Sequence, residues 1–386
     1  MAWTSCCLKE NSFGGQPLAN VGDHASSARE VAESVAIWAK EHNLFSSVGI
    51  EEAVEDEDAE PLVDYTPSFQ AQAVQEILRK RAINLIGFSE LEKKVIIFTS
   101  GKLNKGDLKV LPFHTNGFSF TYIHGGVAQV KGNPPPPSGQ FFHLHNGAYS
   151  CGSSIFPAHC VGAGTLGMLL SDPATGEMYG LSNNHVTGAC NNAMPGLPIL
   201  APGPLDATEA ACDPFTIGRH SRLLPINDGI PENVNIDGNC DVAIFKLADP
   251  AKVTSMQRGA FDTPAAIGSP VPSTRVEKVG RTSGHTTGKI VAQSVTPVPV
   301  QYAVNEYGVR KTVYFKDVFI VQGDGGMPFS RPGDSGSLVV SVSADGTRTS
   351  VGIVFAGNDA RATSFILPLP SILHQLGLDL VSGHNV

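Results

Sequence analysis

The sequence predicts a mainly β protein whose larger part is built from antiparallel β-barrels. From about residue 150 onward, short apolar runs alternate with turns rich in glycine, proline and asparagine, a pattern typical of barrel strands. The composition agrees, because 41 glycines and 27 prolines suit a turn-rich sheet protein better than a helical one. With 386 residues, 41% of them hydrophobic, the chain is long and apolar enough for two or three structural units.

A small α+β unit is predicted ahead of the barrels. Apolar residues recur at helical spacing from Ser26 to about Asn43 and again from Ser68 to Arg81, which predicts two helices. Helices followed by several strands favour a small α+β domain. The strand-like runs that follow the second helix are Asn84–Phe88, Lys94–Phe98 and Phe118–Ile123.

Two unusual segments suggest where the units are separated. The acidic run Glu51–Glu60 is typical of a solvated linker, with a docking tail for a basic partner as the alternative. The consecutive prolines Pro134–Pro137 cannot join a sheet and favour a stiff, extended linker. We therefore expect an N-terminal extension with one helix (1–66), the α+β domain (67–132), a proline-rich linker (133–149) and the barrel domain (150–386).

Charge and hydropathy exclude several classes of protein. The net charge of −9 argues against nucleic acid as the main partner, and no apolar run is long enough for a transmembrane helix, so we expect no membrane partner. The N-terminus lacks the basic start and apolar segment of a secretory signal, so we expect a cytoplasmic protein with reduced thiols. If the chain were exported, Cys212 with Cys240 or Cys151 with Cys160 would be candidate disulfides.

The cysteines and histidines do not form a zinc-binding pattern. His143 and His145 could bind a metal from one face of a strand, but a surface or linker pair is the simpler interpretation. We therefore expect neither a metal nor a cofactor.

The segment Arg331–Ser337 carries the strongest chemical signal in the chain. Its central serine, Ser335, stands on a tight, glycine-flanked loop ahead of the apolar run Leu338–Val340. Glycine allows backbone N–H groups to converge on one point without a Cβ clash, as an oxyanion hole requires. The N–H groups of Gly333 and Ser335 would be the two donors. The same residue types also favour ordinary turns, so this loop alone does not establish catalysis.

Two upstream segments could supply the partners that a nucleophilic serine needs. A serine hydroxyl requires a base, for which imidazole is suited by its unperturbed pKa of about 6.5, and the base requires an acceptor on its other nitrogen. His185 follows a short apolar stretch, and Asp241 heads the apolar run Val242–Leu247. Asp237 is the rival for the third position, but Asp241 directly adjoins the strand. We therefore predict Ser335 as nucleophile, His185 as general base and Asp241 as orienting carboxylate.

The chain order His, Asp, Ser resembles that of chymotrypsin-fold serine peptidases. This resemblance implies two antiparallel six-stranded β-barrels that share the triad between them. The glycine-rich segment Val279–Gly288 stands where such enzymes begin their second barrel, so we expect His285 to be a turn residue and not the base. More closely, the chain resembles the trypsin-like peptidases of bacteria that are similar to the plant NARROW LEAF1 protein. The segments that carry this resemblance are Ala163–Gly167, Leu181–Val186, Val279–Gly288, Gly333–Val340 and Val351–Gly357.

The same resemblance implies the location of a substrate pocket. Phe329, six residues before the nucleophile, would lie at the pocket base. The strand with Val354, Phe355 and Ala356 would form the wall and pair with the substrate backbone. A trypsin-type pocket needs a carboxylate at its base, and none is found there, so we expect an apolar or small P1 residue. Phe329 and Phe355 could instead be ordinary core aromatics.

Activation is a further expectation from the resemblance. In activated trypsin-type enzymes the aspartate before the nucleophile pairs with a newly freed N-terminus. Asp334 occupies that position here, but no matching cleavage site is evident near residue 150. Arg331 is a candidate internal partner for its carboxylate.

The predicted function is that of a cytoplasmic serine endopeptidase which cleaves proteins or peptides through an acyl-enzyme and is restrained by its N-terminal region. Because that region has no chemistry of its own, a second hypothesis stays open, namely a gated or inactive module that binds peptides or assembles into homo-oligomers. An esterase or acyltransferase would use the same nucleophile, but the common α/β-hydrolases have the order Ser, Asp, His.

Overall fold

The computed structural model describes residues 27–46, 67–115, 117–125, 128–129, 141–207, 215–304, 309–358 and 363–386. Residues 1–26, the acidic run Glu51–Glu60, the prolines Pro134–Pro137 and Cys212 lie outside these residues. Within them the chain is mainly β, as predicted. None of the helices in these ranges is long and apolar enough to span a bilayer.

The N-terminal unit has the predicted order of helices and strands. Helix α1 (Ala28–Glu41) begins after Ser27, whose hydroxyl accepts a hydrogen bond from the N–H of Glu30 (3.1 Å) and so caps the helix. Helix α2 (Gln72–Arg81) follows a 3₁₀ turn at Pro67–Phe69. The other elements of the unit are β1 (Ile83–Ser89), β2 (Lys94–Thr99), α3 (Lys105–Val110), β3 (His114–Thr115), β4 (Phe118–His124) and β5 (Ala128–Gln129).

An aromatic cluster forms the centre of this unit. Phe69 is fully buried, with its ring centroid 5.2 Å from that of Trp38 on α1 and 5.1 Å from that of Phe120 on β4. Such tilted and edge-on ring pairs add specific attraction to the burial of apolar area. The cluster therefore joins the helical layer to the sheet.

The next part of the chain curls into a half-barrel. Its main sheet has the strand order β25-β10-β11-β14-β13-β12-β8-β9, and a smaller sheet has the order β16-β15-β7-β6. The strands are β6 (Leu144–His145), β7 (Ala148–Cys151), β8 (Ser154–Pro157), β9 (Gly164–Thr165), β10 (Met168–Ser171), β11 (Met178–Ser182), β12 (Pro198–Leu200), β13 (Thr216–Leu223), β14 (Ala243–Leu247), β15 (Val253–Gln257) and β16 (Phe261–Asp262), with helix α4 (Asn184–Thr187), a 3₁₀ turn (Pro250–Lys252) and the C-terminal β25 (Asp379–Leu380).

The last part of the chain closes into a six-stranded barrel. Its strands pair in the cycle β17-β18-β21-β24-β23-β22 and back to β17. The elements are β17 (Arg275–Gly280), β18 (Gly284–Ser294), the hairpin β19 (Val298–Val304) and β20 (Val309–Phe315), β21 (Phe319–Gly323), a 3₁₀ turn (Asp324–Gly326), β22 (Leu338–Val342), β23 (Arg348–Asn358), β24 (Thr363–Pro368) and helix α5 (Leu369–Leu376). One barrel is thus closed and the other open.

The N-terminal unit and the closed barrel share one sheet. Strand β1 pairs antiparallel with β18, with Gly87 opposite Ser294, and a Cβ atom at Gly87 would lie only 2.9 Å from the carbonyl oxygen of Gln293. Strand β5 lies between β19 and β23. The predicted domain limits stay predictions, but the sheet itself runs without interruption from one unit into the other.

The thiols described by the structure form no disulfide. They belong to Cys151, Cys160, Cys190 and Cys240. A disulfide between Cys151 and Cys160, one of the two pairs considered for an exported chain, is therefore not formed.

We expect Phe69→Ala to lower the free energy of unfolding by about 3–5 kcal/mol, because it leaves a cavity between α1 and the sheet. Phe113→Ala is the matched control, since Phe113 is half-exposed and its loss should cost about 0.5 kcal/mol. Urea unfolding followed by tryptophan fluorescence measures both. Equal losses for the two variants would contradict the central position of Phe69.

Candidate active site

The loop that carries Ser335 is attached to the half-barrel through Thr165. The backbone N–H of Thr165 donates to the carbonyl oxygen of Ser335 (2.9 Å), and its hydroxyl donates to that of Gly333 (2.8 Å). The carbonyl oxygen of Thr165 in turn accepts from the hydroxyl of Ser182 (2.8 Å), at the end of β11. His185 follows three residues later on α4, so the segments that carry the serine and the histidine meet where the two barrels join.

His185 and Asp241 are in direct contact. The ring Nδ1 of His185 lies 2.5 Å from Oδ2 of Asp241, and the backbone N–H of His185 donates to Oδ1 (2.9 Å). The side chain of Asp241 is fully buried, while a small part of the His185 ring is exposed. Asn183 fixes the aspartate backbone by donating from its amide to the Asp241 carbonyl (2.6 Å). The carboxylate can therefore hold one tautomer and one orientation of the imidazole.

Tyr302 is a third partner of the carboxylate, and the sequence analysis missed it. Its hydroxyl donates to Oδ2 of Asp241 (2.9 Å), and its ring centroid lies 5.9 Å from that of His185. Burial, and then the negative charge of Asp241, raise the pKa of Tyr302 well above its ordinary value. The hydroxyl therefore stays protonated and can act only as a donor towards this carboxylate.

The two rival residues lie elsewhere. The side chain of Asp237 is 69% exposed and pairs with Lys316 (2.5 Å), so it does not take the position beside His185. His285 pairs with Glu277 (2.9 Å) and is 44% exposed. It is the second residue of strand β18 and not the expected turn residue, and the histidine that contacts Asp241 is His185.

The loop around Ser335 has two glycines with positive φ angles, +95° at Gly333 and +96° at Gly336. Within the described chain, the backbone N–H groups of Gly333 and Ser335 donate no hydrogen bond, which leaves the two predicted oxyanion donors available. Over the same residues, no hydrogen bond joins the Ser335 hydroxyl to the His185 ring. Such bonds are often long in the absence of substrate.

The carboxylate of Asp334 lies behind this loop and is fully buried. Burial alone would raise the pKa of Asp334, but the charge of Lys278 and hydrogen bonds from Ser283 and Arg331 outweigh it and hold the pKa below its usual range. The predicted partner Arg331 contacts this carboxylate through its backbone N–H (2.9 Å) and not through its guanidinium. The cation that pairs with the carboxylate is Lys278, whose Nζ lies 3.2 Å from Oδ2.

A second buried ion pair lies beside the first. The guanidinium of Arg281 donates from Nε to Oδ2 of Asp206 (2.8 Å), and both side chains are fully buried. Asp206 also accepts from the hydroxyl of Ser154 (2.5 Å). Because Arg281 lies in the closed barrel and Asp206 in the half-barrel region, this pair links the two barrels.

The side chains predicted to bind substrate are buried. Phe329 and Val354 pack in the core of the closed barrel, and the Phe355 ring packs on Phe315 with centroids 4.9 Å apart. Ala356 is buried as well. That these four residues bind substrate, and that P1 is apolar or small, therefore remain predictions. Because the side chains are buried, such binding would involve their backbone and the shape of the pocket.

The thiols of Cys240 and Cys151 are poorly suited as nucleophiles. Burial raises the pKa of Cys240, and the neighbouring charge of Asp241 raises it further. Burial raises the pKa of Cys151 in the same way. Over the described residues, no group of three or more His, Cys, Asp or Glu side chains could hold a metal ion.

Two of the missed residues gave only weak sequence signals. Tyr302 lies in the alternating run Val298-Pro-Val-Gln-Tyr, where an inward-facing tyrosine looks like an ordinary core residue. Lys278 lies between Glu277 and Val279 in β17, and a lysine inside a buried strand is a signal, since lysine is almost never fully buried unless paired.

Gly336→Ala should destabilise the protein more than Gly346→Ala. Both positions have a positive φ, which costs an alanine about 1–3 kcal/mol. A Cβ atom at Gly346 meets nothing within 4 Å, but one at Gly336 would lie 2.5 Å from the Thr165 carbonyl oxygen and against the Ser182 hydroxyl. We expect this crowding to add a further 1–3 kcal/mol, roughly, measured by urea unfolding. Equal losses of unfolding free energy for the two variants would contradict the close contact of Gly336 with Thr165 and Ser182.

Known sequences resemble this chain over part of its length. The Nal1 C-terminal domain family matches residues 254–367, which contain most of the closed barrel. Protein NARROW LEAF 1 of Oryza sativa subsp. japonica is 39% identical over 88 residues, which are 22% of this chain and 13% of that protein. The match thus spans about an eighth of the length of that relative.

Several solved structures resemble the chain at low identity. Thermobifida fusca Protease A is 16% identical with a TM-score of 0.39, and the match covers 60% of this chain and 98% of that one. Nocardiopsis protease is 17% identical with a TM-score of 0.38, covering 60% and 97%. Cellulomonas bogoriensis chymotrypsin is 15% identical with a TM-score of 0.38, also covering 60% and 97%. The chain is thus similar to several solved serine proteases at low identity and low TM-score, and 88 of its residues are similar to a part of NARROW LEAF 1.

Proposed function

We propose that this protein is a serine endopeptidase with Ser335 as nucleophile, His185 as general base and Asp241 as the carboxylate that orients the base. The observation that carries the proposal is the contact between His185 and the fully buried Asp241 at the junction where the loop of Ser335 also lies. A buried carboxylate that accepts from both the backbone and the ring of one histidine suits the stabilisation of a transient imidazolium.

The chemistry follows the usual acyl-transfer scheme. The Ser335 oxygen attacks the peptide carbonyl carbon while His185 takes the hydroxyl proton, and the carbonyl oxygen becomes an oxyanion near the N–H groups of Gly333 and Ser335. His185 then gives the proton to the leaving amine, which leaves an acyl-enzyme on Ser335. Water, deprotonated by His185, attacks the ester and releases the acid, and the proton returns to Ser335.

Ser335→Ala in the full-length chain should lower peptide hydrolysis by about 10⁶-fold and abolish labelling by a fluorophosphonate probe. His185→Ala should lose a similar amount, because members of a triad act as one unit. Ser343→Ala is the matched control, since Ser343 lies exposed in the turn after β22. Probe labelling of Ser335→Ala at the wild-type rate would exclude Ser335 as the nucleophile.

The second hypothesis, a gated peptidase-fold module, also has a specific observation behind it. Strand β5 pairs antiparallel with β23, with Gln129 opposite Gly357, and parallel with β19, with Ala128 opposite Val300. Strand β23 contains the segment that the sequence resemblance assigns to pairing with substrate backbone. A peptide that added itself to this edge of β23 would compete with β5 for the same backbone groups. We therefore propose that β5 restrains access of substrates to the site.

Gln129→Pro should weaken this restraint, because proline removes a backbone donor and is poorly tolerated between two paired strands. We expect faster fluorophosphonate labelling of Ser335 and faster peptide hydrolysis than in the wild type. Gln129→Ala keeps the backbone donor and should behave as wild type, which makes it the matched control. Slower or unchanged turnover in Gln129→Pro would argue that β5 helps to form the site and does not block it.

Several finer features stay proposals that derive from the sequence. They are a cytoplasmic location, a protein or peptide as substrate and assembly into homo-oligomers. Comparing hydrolysis of matched peptide and ester substrates by the wild-type chain separates an endopeptidase from an esterase.

A further inference from the structure

The turn between β17 and β18 holds the loop of Ser335 through one carboxylate. Oδ1 of Asp334 accepts from the backbone N–H groups of Thr282 (2.7 Å) and Ser283 (3.0 Å). Oδ2 accepts from the hydroxyl of Ser283 and from the N–H of Arg331 (2.9 Å). Asp334 directly precedes Ser335, so these bonds determine where the neighbouring N–H groups and the serine hydroxyl lie.

Lys278 supplies the positive charge for this carboxylate from inside the barrel. Its Nζ atom lies 3.2 Å from Oδ2 of Asp334, and both side chains are fully buried. It also donates to the hydroxyl of Ser283 and to the carbonyl oxygen of Gly284 (3.1 Å). A carboxylate buried without a countercharge would be strongly destabilising, so the loop geometry depends on this cation.

Two other cations lie nearby. The buried Arg281 pairs with Asp206, and the partly buried Arg258 donates to the carbonyl oxygen of Gly280 (3.2 Å) and interacts with Asp334 through its charge. Gly280 allows the close approach of the carboxylate, since a Cβ atom there would lie 2.6 Å from Oδ1 of Asp334. Among the described residues, Lys278 is therefore the cation in ion-pair contact with Asp334, and it also lies 6.0 Å from the centroid of the Phe329 ring at the predicted pocket base.

We propose that Lys278 is a positioning residue that holds the Ser335 loop, through Asp334, in the geometry that presents Ser335 and the N–H groups of Gly333 and Ser335. The chain thereby carries its own activating cation, and its site forms without a newly cut N-terminus. This inference rests on the proposed function. It adds to that function the ion pair that holds the loop of Ser335 in position.

The test uses full-length Lys278→Met, with Lys289→Met as the matched control. Lys289 lies on the adjacent strand β18 and pairs with Glu92 (2.6 Å) at an exposed position. Under the proposal, Lys278→Met labels with fluorophosphonate and hydrolyses peptide at least about 10²-fold more slowly, the loss expected when an oxyanion donor is misplaced. The loss should fall on kcat more than on KM, and Lys289→Met should match the wild type.

A double variant covers the case in which Lys278→Met fails to fold. Lys278→Met with Asp334→Asn removes both charges, so no uncompensated ion stays buried and the fold should recover. We expect it to unfold at a urea concentration close to that of the wild type and to label at least about tenfold more slowly, because neutral hydrogen bonds hold the loop less firmly. Labelling of this folded variant at the wild-type rate would overturn the proposal.

Hydrogen exchange separates failure of this inference from failure of the proposed function. The hydrogen-bonded amides of Arg331, Asp334, Gly336 and Ser337 should exchange at least about tenfold faster in Lys278→Met than in the wild type, while amides of β11 stay unchanged. This readout needs no activity. If Ser335 reacts with the probe neither in the wild type nor in Gln129→Pro, the proposed function fails, and unchanged exchange of the loop would by itself refute the role of Lys278.

Intact mass measurement tests the internal activation directly. The uncut chain, either wild type or with Gln129→Pro to release β5, should label at Ser335 without any cleavage. A requirement for cleavage near residue 150 before labelling would refute activation by Lys278.

Discussion

The buried carboxylate of Asp334 is the constraint on which the arrangement of the site depends. It takes donors from the loop of Ser335 and from the turn between β17 and β18, so it joins two segments that are about fifty residues apart in the chain. Removing such a charge from water is costly unless it is paired and fully hydrogen-bonded. The loop therefore has few alternative conformations of similar free energy, which is what a site built from backbone N–H groups requires.

Each of the two barrels contributes different residues to the candidate site. The half-barrel carries His185 and Asp241 in a rigid contact, while the closed barrel carries Ser335 on its loop and sends Tyr302 across to the carboxylate. Thr165 connects these parts by donating to both Ser335 and Gly333. Because each barrel contributes part of the same network, a small shift of one barrel against the other would change the approach of His185 to Ser335 without unfolding either one.

The sequence predicts those parts of the site that depend on local patterns. It does not predict contacts between segments that are far apart in the chain. The helices and strands of the N-terminal unit, and the choice of Asp241 over Asp237, followed from periodicity and from adjacency to an apolar strand. A lysine in a buried strand indicates that Lys278 has a partner, but nothing local identifies that partner across the barrel as Asp334, and Arg331 was chosen only because it was near in sequence. The pairing of β5 with β23 depends in the same way on long-range register, which no short motif encodes.

The roles proposed for Lys278 and β5 act on different steps and are therefore independent. Lys278 acts on the order of the loop, which determines how well the oxyanion is stabilised once a substrate is bound. Strand β5 competes for the backbone edge of β23, which determines how much substrate binds at all. In the proposed peptidase, an internally ordered loop would need no cut N-terminus, so we expect control of activity to act on access to the site. The strand between β19 and β23 lies where such control would be effective, because displacing two residues of backbone pairing requires far less free energy than rebuilding a buried ion pair.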